Sequence, residues 1–329
     1  MLIYLVRRFF LAVITVWAVS LISFAIIQLP PGDFVTAYIG QLQTMGTIVT
    51  QAEAEALRIE YGLDRSFAVQ YYKWLNRILE GDFGLAMEYR RPVLDVIGDR
   101  LWLTAALTFT SIMFTWVLAI PIGIYSAVKQ YSLGDYFFTF VGFLGLALPN
   151  FLLALVVLYV GFVFFNANVG GLFSPEYADS PYTWAKILDL LNHLWLPSII
   201  LAVAGTAQLI RVLRANLLDE LRKPYVVTAR AKGLAVWRII MKYPLRVALN
   251  PLVSTIGYLL SLIVSGSIII SVVMSLPTVG PLLLKALLAQ DMFLAGTIIL
   301  LIGVMTVIGT FISDLLLAWI DPRIKLETT

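Results

Sequence analysis

Cysteine is absent from the chain, which removes disulfides, thiolate nucleophiles and Cys-ligated metals at once. Histidine occurs once, as His193, so imidazole acid–base or metal chemistry has almost nothing to work with. Charge is scarce: Asp, Glu, Lys and Arg make up 13% of residues, against roughly 25% in soluble domains. There is no GxxxxGK[ST] run, so the chain cannot cradle ATP phosphates by that device. What it has in excess is carbon. Apolar residues are 60% of the 329 and mean hydropathy is +0.90, which places the chain in a membrane.

Residues 9–29 form an uncharged run of about 20 residues, enough to cross roughly 30 Å of hydrocarbon. Arg7 and Arg8 before it resemble the head of a signal peptide, but the run is too long and no small-x-small cleavage site follows, so it is expected to be a retained first span. Pro30, Pro31 and Gly32 are expected to end it. Five further apolar runs follow, at residues 101–128, 136–165, 195–213, 247–274 and 294–320. Pro121 and Pro149 predict kinks in the second and third spans. The expected fold is therefore an all-α integral membrane protein with six transmembrane helices and both termini on one side.

Residues 30–100 are the longest polar section, with helical texture. Thr50 and Glu53 make a capping box ahead of a helix through about Tyr61. Val69, Tyr72, Leu75 and Leu79 recur near helical spacing, and Gly81 and Gly84 stop that second helix. The expected organisation is an N-terminus and first span at 1–29, a small helical subdomain at 30–100, and a transmembrane core at 101–329.

Charge orients these pieces. The side holding the termini, Lys129 and the 211–246 loop carries 14 Lys/Arg against 5 Asp/Glu; the side holding residues 30–100, 166–194 and 275–293 carries 9 against 14. By the positive-inside rule the first side, termini included, is cytoplasmic and the 30–100 subdomain extracytoplasmic.

The most distinctive stretch is the basic loop, centred on residues 214–246 between the fourth and fifth runs. With its flank it carries Arg211, Arg214, Arg222, Lys223, Arg230, Lys232, Arg238, Lys242 and Arg246 against only Asp219 and Glu220. Any membrane protein shows such charge as a topology signal and as attraction to anionic lipid. This loop also has internal structure: Pro224 starts a helix, Gly233 ends or bends it, and Val236, Ile239 and Ile240 resume an apolar face until Pro244. Small side chains at Thr228, Ala229 and Ala231, then Gly233, predict a surface for close docking.

TARAKGL at 228–234 with LRVALNP at 245–251 resembles the signature "EAA" loop of binding-protein-dependent ABC importer permeases. YLVRRF at 4–9, PGD at 31–33, YGLDRSFAVQYYKWLNRILEGDFG at 61–84, RPV at 91–93, LP at 148–149, HLWLPS at 193–198 and DPRI at 321–324 narrow the resemblance to the dipeptide/oligopeptide/nickel branch. These matches run in order over nearly the whole chain. The naming glutamate is not found at the start of the loop, where Val227 or Thr228 stands. MSLPTVGPLL at 274–283 is a loose version of the family's segment, with Ser271 where an acid is common and Pro281 after Gly280. The resemblance implies that Tyr225, Thr228, Ala229, Arg230, Ala231, Lys232, Gly233 and Leu234 form the coupling helix that sits in a cleft of a cytoplasmic ATPase.

Other residues carry two readings each. Ser254, Gly257, Ser261 and Ser265 make a small-residue stripe, for packing within the chain or for a second permease or polar pathway. Asp314 is the one ionisable residue well inside an apolar run, read as a structural contact near the cytoplasmic end, with an ion site as the alternative. His193 beside Trp195 reads as an interfacial residue. Tyr71, Tyr72 and Trp74 read as cover for the subdomain core or as a partner contact.

The expected function is thus a non-catalytic permease subunit of an ATP-binding-cassette importer, switching by rigid-body motion between inward- and outward-open states. The resemblance implies a second homologous permease, two cytoplasmic ATPase subunits that hold ATP and magnesium, and an extracytoplasmic substrate-binding protein, with short peptides as first substrate class. No cofactor is expected on this chain, no metal and no nucleic-acid partner. An ion-coupled secondary transporter is the alternative; it should show intramembrane acids in two related halves, and only Asp314 qualifies. An embedded enzyme has almost no side-chain chemistry available.

Overall fold

The computed structural model describes residues 2–28, 32–44, 49–166, 169–178 and 180–320. These form two compact units, one of residues 5–103 with 278–307 and the other of residues 104–277 with 308–320 and the first few residues of the chain.

The first unit begins with α1 (Leu2–Gln28), an almost uncharged helix that spans about 40 Å at 1.5 Å per residue. Pro30 and Pro31 lie outside the described residues. Asp33 of the PGD motif caps α2 (Phe34–Thr44): its Oδ1 accepts from the Thr36 amide at 2.8 Å and the Thr36 hydroxyl at 2.6 Å. Its other oxygen takes the Arg58 Nε–H at 2.7 Å and so ties α2 to α3 (Gln51–Tyr61). Burial pushes the Asp33 carboxyl up, but the bonds from Arg58 and Thr36 outweigh it and hold the group below its ordinary range. Thr50 and Glu53 form the expected capping box, and Gly62 closes α3 in the left-handed conformation at φ 69°.

The next helix, α4 (Phe67–Leu79), corrects the expected phase. Val69, Tyr72 and Leu79 are exposed, Trp74 is buried, and Tyr71 and Leu75 are half-buried beside it. Phe24 of α1 sets this register: its ring lies 5.4 Å from Phe67, 5.5 Å from Tyr71 and 5.4 Å from Trp74, and the Ser20 and Tyr71 hydroxyls share a 2.8 Å hydrogen bond. Trp74 also fills the space over Gly296, where a Cβ would come within 3.3 Å of the indole. Aromatic rings therefore outrank aliphatic spacing in choosing the buried face. Tyr71 and Trp74 are core, whereas Tyr72 is not.

A short antiparallel hairpin, β1 (Leu85–Ala86) with β2 (Arg91–Pro92), leads into α5 (Val93–Val128). The non-helical backbone inside α5 is at Gly98 (φ 37°, ψ −128°), and the helix continues through Pro121, where a kink was expected.

In the second unit, α6 (Leu133–Ala147) and α7 (Asn150–Phe165) meet at Leu148–Pro149 with a 103° bend, far sharper than the expected kink. Next comes α8 (Trp184–Leu221), at 38 residues the longest helix and the scaffold of this unit. The connection that leads into it from α7 is pinned by Ser174 to Asp189 (2.8 and 2.6 Å) and by the buried Lys186, whose ammonium donates to the Ser180 carbonyl at 2.6 Å. His193 bonds back to the Asp189 carbonyl at 2.8 Å, a local structural contact.

The loop helices α9 (Pro224–Ala231) and α10 (Val236–Lys242) follow, then two single-turn helices, α11 (Pro244–Ala248) and α12 (Asn250–Ser254), before α13 (Ile256–Val273). The fifth long helix thus starts at Ile256 rather than 247, because Pro244 and Pro251 each begin a new short helix. The segment after it folds as α14 (Val279–Leu288), too short to cross, and the chain ends in α15 (Met292–Ile320), which continues into the second unit. Among the described residues, five helices are long and apolar enough to cross a membrane, α1, α5, α8, α13 and α15, and a sixth crossing exists if α6 and α7 together are one broken span.

Candidate docking surface in the basic loop

Proline at the first helical position begins α9, as its preset φ favours. The helix ends where the Gly233 backbone turns left-handed at φ 75°, with Gly233 N–H on the Arg230 carbonyl (2.9 Å) and Leu234 N–H on the Ala229 carbonyl (3.3 Å). That turn folds α10 back so that Val226, Ala229 and Ile239 form a small buried cluster with Leu234 against it. One turn later Ile240, Leu245, Ala248 and Leu252 pack on Leu209, Leu213 and Leu217 of α8. The loop is therefore a rigid helical pair bolted to the end of the longest helix.

This arrangement sorts the eight residues expected to couple. Tyr225, Thr228, Arg230, Ala231, Lys232 and Gly233 are on the surface. Ala229 is only 7% exposed and turns inward, a correction to the expected docking face: it is the small residue that lets α9 close on α10. Leu234 is partly buried in the same cluster. Sequence reasoning also missed most of the apolar surface: Val227 and Trp237 are 61% and 62% exposed with Met241 exposed beside them, and Val236, expected on one face with Ile239 and Ile240, is exposed while those two are buried. Tyr225 hydrogen bonds to Glu220; burial and that carboxylate both push its hydroxyl pKa up, so it stays a donor.

An exposed Trp, Met and Val group ringed by Arg and Lys has the composition of a protein-interface core with a charged rim. A lipid headgroup layer accepts the same composition.

The remaining sequence candidates divide between buried contact and exposed surface. Gly257 is buried against α15, where a Cβ would lie 3.1 Å from the Thr310 Cα. Ser254 and Ser265 are exposed, Ser254 bonding to the Pro251 carbonyl at 2.7 Å, and the Ser261 side chain is outside the described residues. Asp314 is partly buried and engaged by a neighbour, next to Ser313, whose hydroxyl donates to the Val253 carbonyl at 2.9 Å. DPRI at 321–324 lies outside the described residues.

Two groups went unsignalled. Asp135 takes a two-pronged bond from Arg214, Nε to Oδ1 at 3.0 Å and Nη2 to Oδ2 at 2.8 Å, fastening α6 to α8; its clue is an acid in the first turn after Ser132, on an otherwise basic side. Asp291, fully buried, caps α15 through the Leu294 amide at 3.1 Å and holds the hairpin through the Glu88 amide at 3.2 Å.

Comparison with known proteins bears on which surface this is. Residues 119–326 match the family described as binding-protein-dependent transport system inner membrane component, and residues 1–108 match the N-terminal region of such membrane components. A putative peptide permease protein of Brucella ovis is 36% identical over 327 residues, covering 99% of both chains. The oligopeptide transport system permease protein AppB of Bacillus subtilis is 33% identical over 98% of this chain and 99% of its own. The dipeptide transport system permease protein DppB of Escherichia coli K12 is 29% identical over 99% of each.

Proposed function

Because this chain belongs to the binding-protein-dependent transport system inner membrane component family, we propose that it forms half of the transmembrane pathway of an ATP-driven importer of short peptides. As a member, it is a transport permease, multi-pass in the cytoplasmic membrane. The names of its relatives, peptide, oligopeptide and dipeptide permeases, support short peptides as the substrate class.

One observation carries the mechanism: the α9–α10 pair presents exposed apolar residues while its buried side is fixed to α8. A partner that grips Trp237, Val227 and Ala231 moves α8 as a lever, and Asp135–Arg214 makes α6 follow. In this reading the partner is one of two cytoplasmic ATPases, which bind ATP and magnesium. Closure of the ATPase dimer draws this loop toward that of a second, homologous permease chain, heterodimeric with this one, and the spans exchange inward- for outward-open states. An external binding protein delivers the peptide to the face carrying residues 30–100. The exposed Ser254 and Ser265 are available to the second permease, while Gly257 and Asp314 serve packing within the chain.

Purification with native partners tests this: an ATPase should copurify, and Trp237→Asp or Ala231→Leu should leave insertion intact but cut peptide-stimulated ATP hydrolysis at least about tenfold, as loss of a buried interface anchor does. Unchanged hydrolysis and uptake in both variants would overturn the coupling role. Normal uptake without ATPase, with a pH profile altered by Asp314→Asn, would point to ion coupling instead.

A further inference from the structure

A cavity beside the α6–α8 contact plays no part in the ATP coupling described above. It is a groove of about 300 Å³ running along α8, long and apolar enough to cross a membrane, and α6, the first half of the bent α6–α7 pair. Its long walls are carbon, with Phe143 and Leu146 on α6 facing Ala207 and Ile210 on α8. At the end nearest the basic loop the lining changes to the Tyr131 and Tyr136 phenols and to Arg211 and Arg214.

The two arginines differ. Arg214 is spent, since both oxygens of the buried Asp135 take its guanidinium edge and the pair is neutral as a unit. Arg211 lies three residues earlier on the same face of α8, is exposed, and has no ion-pair partner among the described residues. A net positive charge thus stands at the mouth of an apolar groove. We propose that this groove seats an anionic phospholipid of the adjacent leaflet, with its phosphate on Arg211 and one acyl chain along α6.

Charge complementarity decides among occupants. A homologous permease helix would bring its own basic end to the same depth, by the positive-inside rule, and would set cation against cation. A soluble anion leaves the carbon walls wet. A zwitterionic lipid fills the walls but brings no net charge to Arg211. An anionic lipid meets both demands, and basic residues at the bilayer surface favour such lipids by about fivefold each. The inference rests on the helices being in the membrane, not on ATP coupling.

The test is native mass spectrometry of the purified chain released from nanodiscs of phosphatidylglycerol and phosphatidylcholine in equal amounts. Wild type should retain phosphatidylglycerol several-fold over phosphatidylcholine. Arg211→Gln should lose that preference by about fivefold, whereas Arg7→Gln, the same charge change on exposed α1, should keep it. Thr139→Trp, a bulky side chain at the groove wall, should reduce retention of both lipids. Equal preference in wild type and Arg211→Gln overturns the proposal, as does a matching loss in Arg7→Gln. So does efficient cross-linking of Thr139→Cys to a second permease chain, which would show that protein covers the groove.

Discussion

Asp291 shows what a single buried carboxyl does for the unit that holds the β1–β2 hairpin. It has no exposed surface, and burial pushes its pKa up to about 6 despite the amides of Leu294, Glu88 and Met87, while the Glu88 carboxylate adds to the rise. The folded chain therefore holds this proton more tightly than the unfolded one, whose value is 3.8. Its contribution is complete below that value and is lost as pH rises through about 6. The difference is on the order of 3 kcal/mol at 1.36 kcal/mol per unit. Asp33 works in the opposite direction and lower down: its depressed pKa gives stability above 3.8 that is lost as pH falls further. Thermal unfolding of the purified protein should show a stability slope falling between pH 4 and 7 that flattens in Asp291→Asn, with the acid-side loss below pH 4 unchanged. A slope identical in the variant would mean that the group is ionised throughout. The sequence offered no hint of Asp291, because nothing local marks an acid in the 275–293 segment as buried; only the fold brings the hairpin amides to it.

Helices that announced themselves did so through local chemistry. The Thr50–Glu53 capping box, the left-handed Gly62 and Gly233, and Pro224 at a first turn fix helix ends within a few residues, so they were legible. Helix phase was not: α4 takes its register from Phe24 and Gly296, residues remote in sequence. The small-residue stripe on α13 divides in the same way. Gly257 is required because the Thr310 backbone is 3.1 Å from where a Cβ would be, and no rotamer change can move a backbone. Ser265 faces outward. Gly257→Leu should therefore push α13 off α15 and cost about 1–3 kcal/mol or more as overpacking, read as a lower unfolding temperature of the isolated subunit. Ser265→Leu should leave that temperature unchanged and act, if at all, only on the assembled pair of permeases. Equal destabilisation by both would show that the stripe is packed along its whole length within one chain.

At the scale of the whole chain the open quantity is the number of crossings, and it turns on the α6–α7 pair. At 1.5 Å per residue the two helices are about 22 and 24 Å long, each shorter than the roughly 30 Å of hydrocarbon. Turned by 103°, their far ends are still about 29 Å apart, so the bent pair can cross as one broken span or dip in and return. The two cases put the basic loop on opposite faces relative to residues 34–92. A crossing pair gives six spans and sets α9 across the membrane from α3; a returning pair leaves α9 on the same side as α3. Charge favours the crossing, since it collects 14 of the 23 basic residues with only 5 acids on one face. Because the chain has no cysteine, single substitutions report without background. Gln51→Cys on α3, Glu176→Cys in the α7–α8 connection and Thr228→Cys on α9 are all at exposed positions. In intact cells with a permeable outer layer, an impermeant maleimide should label the first two and leave the third, and inverted vesicles should reverse the pattern. Joint labelling of Gln51→Cys and Thr228→Cys from one side would establish a re-entrant pair, and with it a loop that cannot meet a cytoplasmic ATPase if α3 is outside.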